Sequence, residues 1–167
     1  MRWVLMMAAW SAAAPAWAQC SSVSDPDQRY LCRAVSEGDK SACSSISSSD
    51  LRYYCRAVTE PSASHCSSIT ATDLRYKCRG EAEAAVARQK GASPSTSDCS
   101  SISDSDQRYL CRALVTRDTA QCSSIGENDL RYYCRARAGR STSDCSSISS
   151  SDLRYRCRAE VEADRAR

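Results

Sequence analysis

Twelve cysteines stand on a ruled series, and that spacing limits the possible folds more than anything else in the sequence. They fall as Cys20/Cys32, Cys43/Cys55, Cys66/Cys78, Cys99/Cys111, Cys122/Cys134 and Cys145/Cys157, each pair enclosing eleven residues. Successive pairs begin 23 residues apart, except where an insertion separates Cys78 from Cys99. The repeated unit reads C-S-S-[IV]-x-x-x-D-[LQ]-R-Y-x-C-R-[AG]. So short a unit cannot bury an apolar face alone, and such units become stable only by stacking.

The six units are not equivalent. The first and fourth share DQRYLC (Asp27–Cys32 and Asp106–Cys111), and the second and fifth share LRYYC (Leu51–Cys55 and Leu130–Cys134). The third and sixth read LRYKC and LRYRC. A block of three units is therefore duplicated whole. The insertion opens with helix formers from Glu81 to Lys90 and breaks at Gly91 and Pro94 in a Ser/Thr-rich stretch. The expected organisation is a leader over 1–18, a three-repeat lobe with a helical extension over 19–90, a flexible linker over 91–98, and a second such lobe over 99–167.

The leader carries Arg2, an apolar stretch from Trp3 to Ala14, and the small-x-small sequence Ala16, Trp17, Ala18. This is the pattern of an export signal cleaved after Ala18, and it is too short to span a bilayer. Gln19 directly precedes Cys20, which argues against lipidation. Beyond the leader, Leu, Ile and Val make up roughly one residue in eight and Phe is absent, too thin a core to offset about 1–2 kcal/mol of backbone entropy per residue. An even number of cysteines behind an export signal predicts disulfides and a secreted or periplasmic location. Each bridge closing a loop of this length contributes about 3 kcal/mol.

Each unit also carries a helix-start signature. In the second, Ser47 and Asp50 form a capping pair, and Ile46 is placed to staple onto Leu51. The caps expected elsewhere are Ser24, Thr70, Ser103, Gly126 and Ser149, each with the aspartate three residues on. Cys43 and Cys55 then form the layer beneath Ile46 and Leu51, which favours bridges within each unit over the rival pairing of Cys55 with Cys66. Tyr53 and Ala57 fall on the opposite helix face, available to the next unit. The predicted fold class is all-α, a stack of disulfide-stapled short helical hairpins.

Catalysis has little to stand on. His65 is the only histidine, and no base recurs beside the serines. The cysteines lack the tight C-x2–4-C spacing of zinc sites and the C-x-x-C of redox centres. No enzyme activity, metal or cofactor is expected. The suggestive feature is the arginines, two per unit and four apart on one helix edge: Arg29/Arg33, Arg52/Arg56, Arg75/Arg79, Arg108/Arg112, Arg131/Arg135 and Arg154/Arg158. Stacked, they line an edge bordered by tyrosines and suited to anionic partners, because guanidinium donates bidentate bonds. Pairing with the recurring aspartates of adjacent units explains them equally well. The functional expectation is a non-enzymatic binding or structural module, with an anionic polymer or envelope component as candidate partner; the alternative is a secreted effector such as a toxin or enzyme inhibitor.

Overall fold

A computed structural model describes residues 19–166, so the leader and its cleavage site after Ala18 lie outside the described residues. One principal helix rises from each unit: α1 (Pro26–Glu37), α2 (Ser49–Thr59), α3 (Thr72–Gln89), α4 (Ser105–Thr116), α5 (Asn128–Gly139) and α6 (Ser151–Ala166). The first cysteine of units two to six sits on a short arm. Four arms are 3-10 turns (Lys40–Ser45, Ala63–Ser68, Thr119–Ser124, Asp144–Ser147), and Ser97–Ser100 is one α-helical turn. No strand occurs among the described residues. The Ala/Glu-rich stretches after Gly80 and Ala159 extend α3 and α6 beyond the other four helices, as their propensity predicts.

All six disulfides join the two cysteines of one unit: Cys20–Cys32, Cys43–Cys55, Cys66–Cys78, Cys99–Cys111, Cys122–Cys134 and Cys145–Cys157. Their Cα–Cα distances of 5.6–5.8 Å lie at the usual value. Every bridged cysteine is fully buried, beside the buried Val23, Ile46, Ile69, Ile102, Ile125 and Ile148. Leu51, Leu74, Leu130 and Leu153 pack against these clusters as the staple predicts.

The caps lie one residue later than the sequence suggests. Asp25, Ser48, Asp104 and Glu127 are the N-caps of α1, α2, α4 and α5 and accept the side-chain capping bonds, and Ser150 accepts from Leu153 at the start of α6. The expected caps Ser24, Ser47, Thr70, Ser103, Gly126 and Ser149 therefore stand just outside their helices. The recurring aspartate does not reach back along its own helix. It turns across to the next unit, where its two oxygens accept the amides of the cap and of the residue before it. Asp27 takes Ser47 and Ser48 at 2.8 and 2.9 Å, and Asp50 takes Thr70 and Ala71 at 3.0 and 2.9 Å. A carboxylate at a helix N-terminus meets unsatisfied N–H groups and the positive end of the helix dipole, which is why this position stays acidic.

The same clamp recurs at every step. Asp73 holds Ser103 and Asp104, so the insertion is absorbed without losing the contact. Asp106 holds Gly126 and Glu127, and Asp129 holds Ser149 and Ser150. The last aspartate, Asp152, holds Ser24 and Asp25 of the first unit at 3.0 and 3.3 Å. Each principal helix packs on two others, and α6 packs on α1. The six units therefore close into a ring, with the two sets of three meeting at both junctions.

Between units the packing is close. The position after the second cysteine and arginine is Ala34, Ala57, Gly80, Ala113, Ala136 or Ala159, all buried. A Cβ on Gly80 would stand 3.2 and 3.3 Å from the Sγ atoms of Cys111 and Cys99 in the next unit. Ala159 clusters in the same way with Cys20 and Cys32 across the closing junction. Each disulfide thus doubles as the surface on which the preceding unit packs.

Candidate binding sites on the rim and on the axis of the ring

The twelve arginines separate into two classes. The first of each pair turns back onto its own unit and donates to the carbonyl six residues before it. Arg29 reaches Val23 O at 2.8 Å, Arg52 reaches Ile46 O at 3.0 Å, and Arg75 reaches Ile69 O at 3.1 Å. Arg108, Arg131 and Arg154 do the same to Ile102, Ile125 and Ile148 at 2.7–2.9 Å. Arg29 and Arg52 donate a second bond, to Ser24 O and Ser47 O. These six guanidiniums fasten the arm to its helix, and they are half-buried.

The second arginine of each pair lies on the outer rim. Arg33, Arg79 and Arg135 are 46, 45 and 52 % exposed in their side chains, each with one acid at 3.4–3.8 Å: Glu37, Asp98 and Asp144. Arg112 and Arg158 reach only Ser100 Oγ and Ser146 Oγ at 3.2 Å. Arg56 makes no ion pair among the described residues. Tyrosines border this edge, with Arg112 6.0 Å from the centre of the Tyr109 ring. The rim thus presents six cations at the period of the repeat, none in a strong pair.

The aspartates that close the units are fixed as anions. The Asp27 carboxyl lies below its ordinary 3.8 because the Ser47 and Ser48 amides bond the charged form, with Arg52 nearby. Asp50, Asp73, Asp106, Asp129 and Asp152 are lowered by the same kind of bonds from the next unit.

A second group of polar residues was not singled out in the sequence. The variable residue of R-Y-x-C, namely Leu31, Tyr54, Lys77, Leu110, Tyr133 or Arg156, faces the ring axis together with the residue four places on. Six helices spaced about 9 Å apart put each axis about 9 Å from the centre, a gap that long side chains are needed to fill. On one side, Tyr133 donates to Glu160 Oε2 at 2.5 Å and receives Arg137 at 2.8 Å. Arg137 also pairs with Glu160 and with Asp164, the latter at 3.2 Å. Arg156 binds Glu160 Oε1 and Gln28 Oε1, both at 2.7 Å. Glu160 is 1 % exposed. Burial opposes its charge, but Arg156 and Arg137 outweigh that and hold its carboxyl down at about 2. Burial raises the Tyr133 phenol, which therefore donates as a neutral hydroxyl.

The duplicated half repeats this arrangement incompletely. Tyr54 donates to Glu81 Oε2 at 2.6 Å, as Tyr133 does to Glu160. Lys77 stands in place of Arg156, 5.8 Å over the Tyr54 ring, and desolvation lowers its ammonium. Val58 replaces Arg137 and Ala85 replaces Asp164. The one sequence signal for this cluster is that x is the position that varies inside an otherwise constant motif.

His65 lies half-buried on the second short arm. Among the described residues no three His, Cys, Asp or Glu side chains converge as a metal site, and none of the cysteines is free. No helix among them is long and apolar enough to cross a membrane. Six disulfides are consistent with an oxidising compartment. No family model, curated protein or solved structure matches this chain.

Proposed function

We propose that the chain is a non-enzymatic binding module, secreted or periplasmic, whose rim arginines hold an anionic polymer such as an acidic polysaccharide. The observation that carries this reading is the rim set Arg33, Arg56, Arg79, Arg112, Arg135 and Arg158, one per unit and weakly partnered, of which Arg33, Arg79 and Arg135 are exposed and the other three half-buried. A periodic ligand of repeated carboxylate, sulfate or phosphate groups meets a periodic row of guanidiniums, and each contact gains from bidentate donation. The inner arginines contribute less, because each spends at least one guanidinium N–H on a backbone carbonyl of its own unit. Closure and six staples keep the row pre-organised, which lowers the ordering cost of binding.

The test is retention of the oxidised protein on immobilised sulfated polysaccharide against a neutral polysaccharide, across a salt gradient. Salt-dependent elution, advanced by Arg56→Gln with Arg79→Gln, is the expected result. Equal elution from both matrices at low salt removes the reading.

A further inference from the structure

The rim closes on itself, and closure limits what one ligand strand can reach. Side chains extend a helix about 6 Å from its axis. With each axis about 9 Å from the centre, the second arginines stand on a circle of about 15 Å radius. Neighbours are then about 15 Å apart, like the corners of a hexagon. A straight strand laid along one edge meets two corners. To touch all six it must bend through a full circle around the molecule. Threading the centre is excluded, because Tyr54, Tyr133 and Glu160 are buried on the axis, with Lys77 and Arg156 against them.

Ion pairing divides the corners further. Arg33, Arg79 and Arg135, from units one, three and five, are paired with Glu37, Asp98 and Asp144. Arg56, Arg112 and Arg158, from units two, four and six, form no ion pair among the described residues. The last two spend one nitrogen each on a serine hydroxyl. Paired and unpaired corners therefore alternate, and the unpaired ones stand a third of a turn apart. Every edge joins one of each kind: an arginine without an acid partner, and one whose exposed pair is weak and screened by salt. No side of the ring is favoured over the others.

We propose that the ring is a cross-linker, holding two or three strands of an acidic polysaccharide at once, each on its own edge. This function rests on polymer binding by the rim arginines and goes beyond it, because a binder that carries one strand joins nothing. Strands on separate edges lie more than about 20 Å apart. Charges act over only about 8 Å at physiological salt, so repulsion between strands does not limit occupancy. The whole chain carries a formal net charge of only +3. Bulk neutralisation is too weak to gather several polyanions, and the discrete corners have to do it. A disulfide in every unit keeps those corners at fixed angles, so one bound strand does not draw the remaining arginines round onto itself. Strands joined at several rings are then retained through effective concentration.

The experiment is a sandwich capture. Dextran sulfate is fixed to beads, and the oxidised protein is loaded as its monomer fraction from gel filtration and washed at low salt. Fluorescent soluble dextran sulfate is then added, with fluorescent neutral dextran as the control. The parent protein should hold the sulfated polymer on the beads at least about tenfold above the neutral one. Arg112→Gln with Arg158→Gln leaves Arg56 as the one unpaired corner. That variant should still bind the beads, elute at lower salt, and capture about a tenth of the parent's soluble polymer or less. Protein retained on the beads without soluble polymer overturns the cross-linker and leaves rim binding standing. Protein that does not bind the beads overturns both. Capture by the double variant equal to the parent's also overturns the cross-linker, because the bridge then does not run through the unpaired corners. If that variant does not fold, the parent's own capture decides the case.

Discussion

Asp152 Oδ1 accepts the amide hydrogen of Ser24 at 3.0 Å, joining residues 128 positions apart in sequence and closing the ring. Asp50 makes the same bond to Thr70, but between units already linked by a short stretch of chain. Loop-closure entropy makes the first contact the harder to re-form once lost. Asp152→Ala should therefore speed hydrogen exchange at Ser24 and Asp25 and expand the molecule in small-angle scattering. Asp50→Ala should speed exchange at Thr70 and Ala71 without expansion. Equal expansion in both variants would show that the closing junction is not special.

The two axial glutamates should respond differently to neutralisation. Glu160 is buried and answers two arginines, so Glu160→Gln leaves uncompensated charge and should cost about 3–5 kcal/mol in denaturant unfolding. Glu81→Gln keeps the acceptor for Tyr54 and should cost less than half of that. Acidity gives a second readout. The folded Glu160 carboxyl, at about 2, lies below its ordinary 4.5, so its contribution is complete above about 4.5 and fades as pH falls towards 2. The six lowered aspartates act in the same direction, from 3.8 downwards. Acid unfolding followed by circular dichroism should be less steep in Glu160→Gln than in the parent.

At Gly80 a unit closely approaches the next disulfide. Its missing Cβ lies 3.2 Å from Cys111 Sγ and 3.6 Å from Val115 Cγ2, so no larger side chain fits without displacing the bridge. Gly80→Leu should destabilise by about 1–3 kcal/mol through overpacking. Thermal unfolding compared with Gly38→Ala separates packing from backbone strain, because Gly38 meets nothing within 4 Å and is constrained only by φ 69°.

The disulfide partners were legible because the argument for them is local: Ile46 and Leu51 fix the layer in which Cys43 and Cys55 must meet. Asp50 shows where local reasoning fails. Its spacing from Ser47 imitates a capping box, yet the carboxylate bonds the amides of Thr70 and Ala71, and nothing within one unit records that choice. Closure was illegible for a related reason. It depends on the rotation between units, about 60° per step for a ring of six, a quantity set by many side chains at once. The segment 91–98 reads as a flexible linker from its serines and Pro94, whereas Asp98 pairs with Arg79 at 3.5 Å and Ser97 begins a helical turn. Tyr133 and Glu160 were hidden by separation, since only the ring brings residues 27 apart onto its axis.

The two arginine classes can be told apart by one conservative exchange. Arg52 spends Nε on Ile46 O and another nitrogen on Ser47 O, a forked donation that a single ammonium cannot reproduce. Arg52→Lys should lower stability by about 1–2 kcal/mol and leave polyanion retention at its parental salt concentration. Arg56 makes no ion pair within the ring, so Arg56→Lys should change stability by no more than about 0.5 kcal/mol. It keeps the charge but loses the planar fork, and so should elute from sulfated polysaccharide at lower salt. If instead Arg56→Lys is as destabilised as Arg52→Lys and is retained like the parent, the rim arginines serve the fold rather than a ligand.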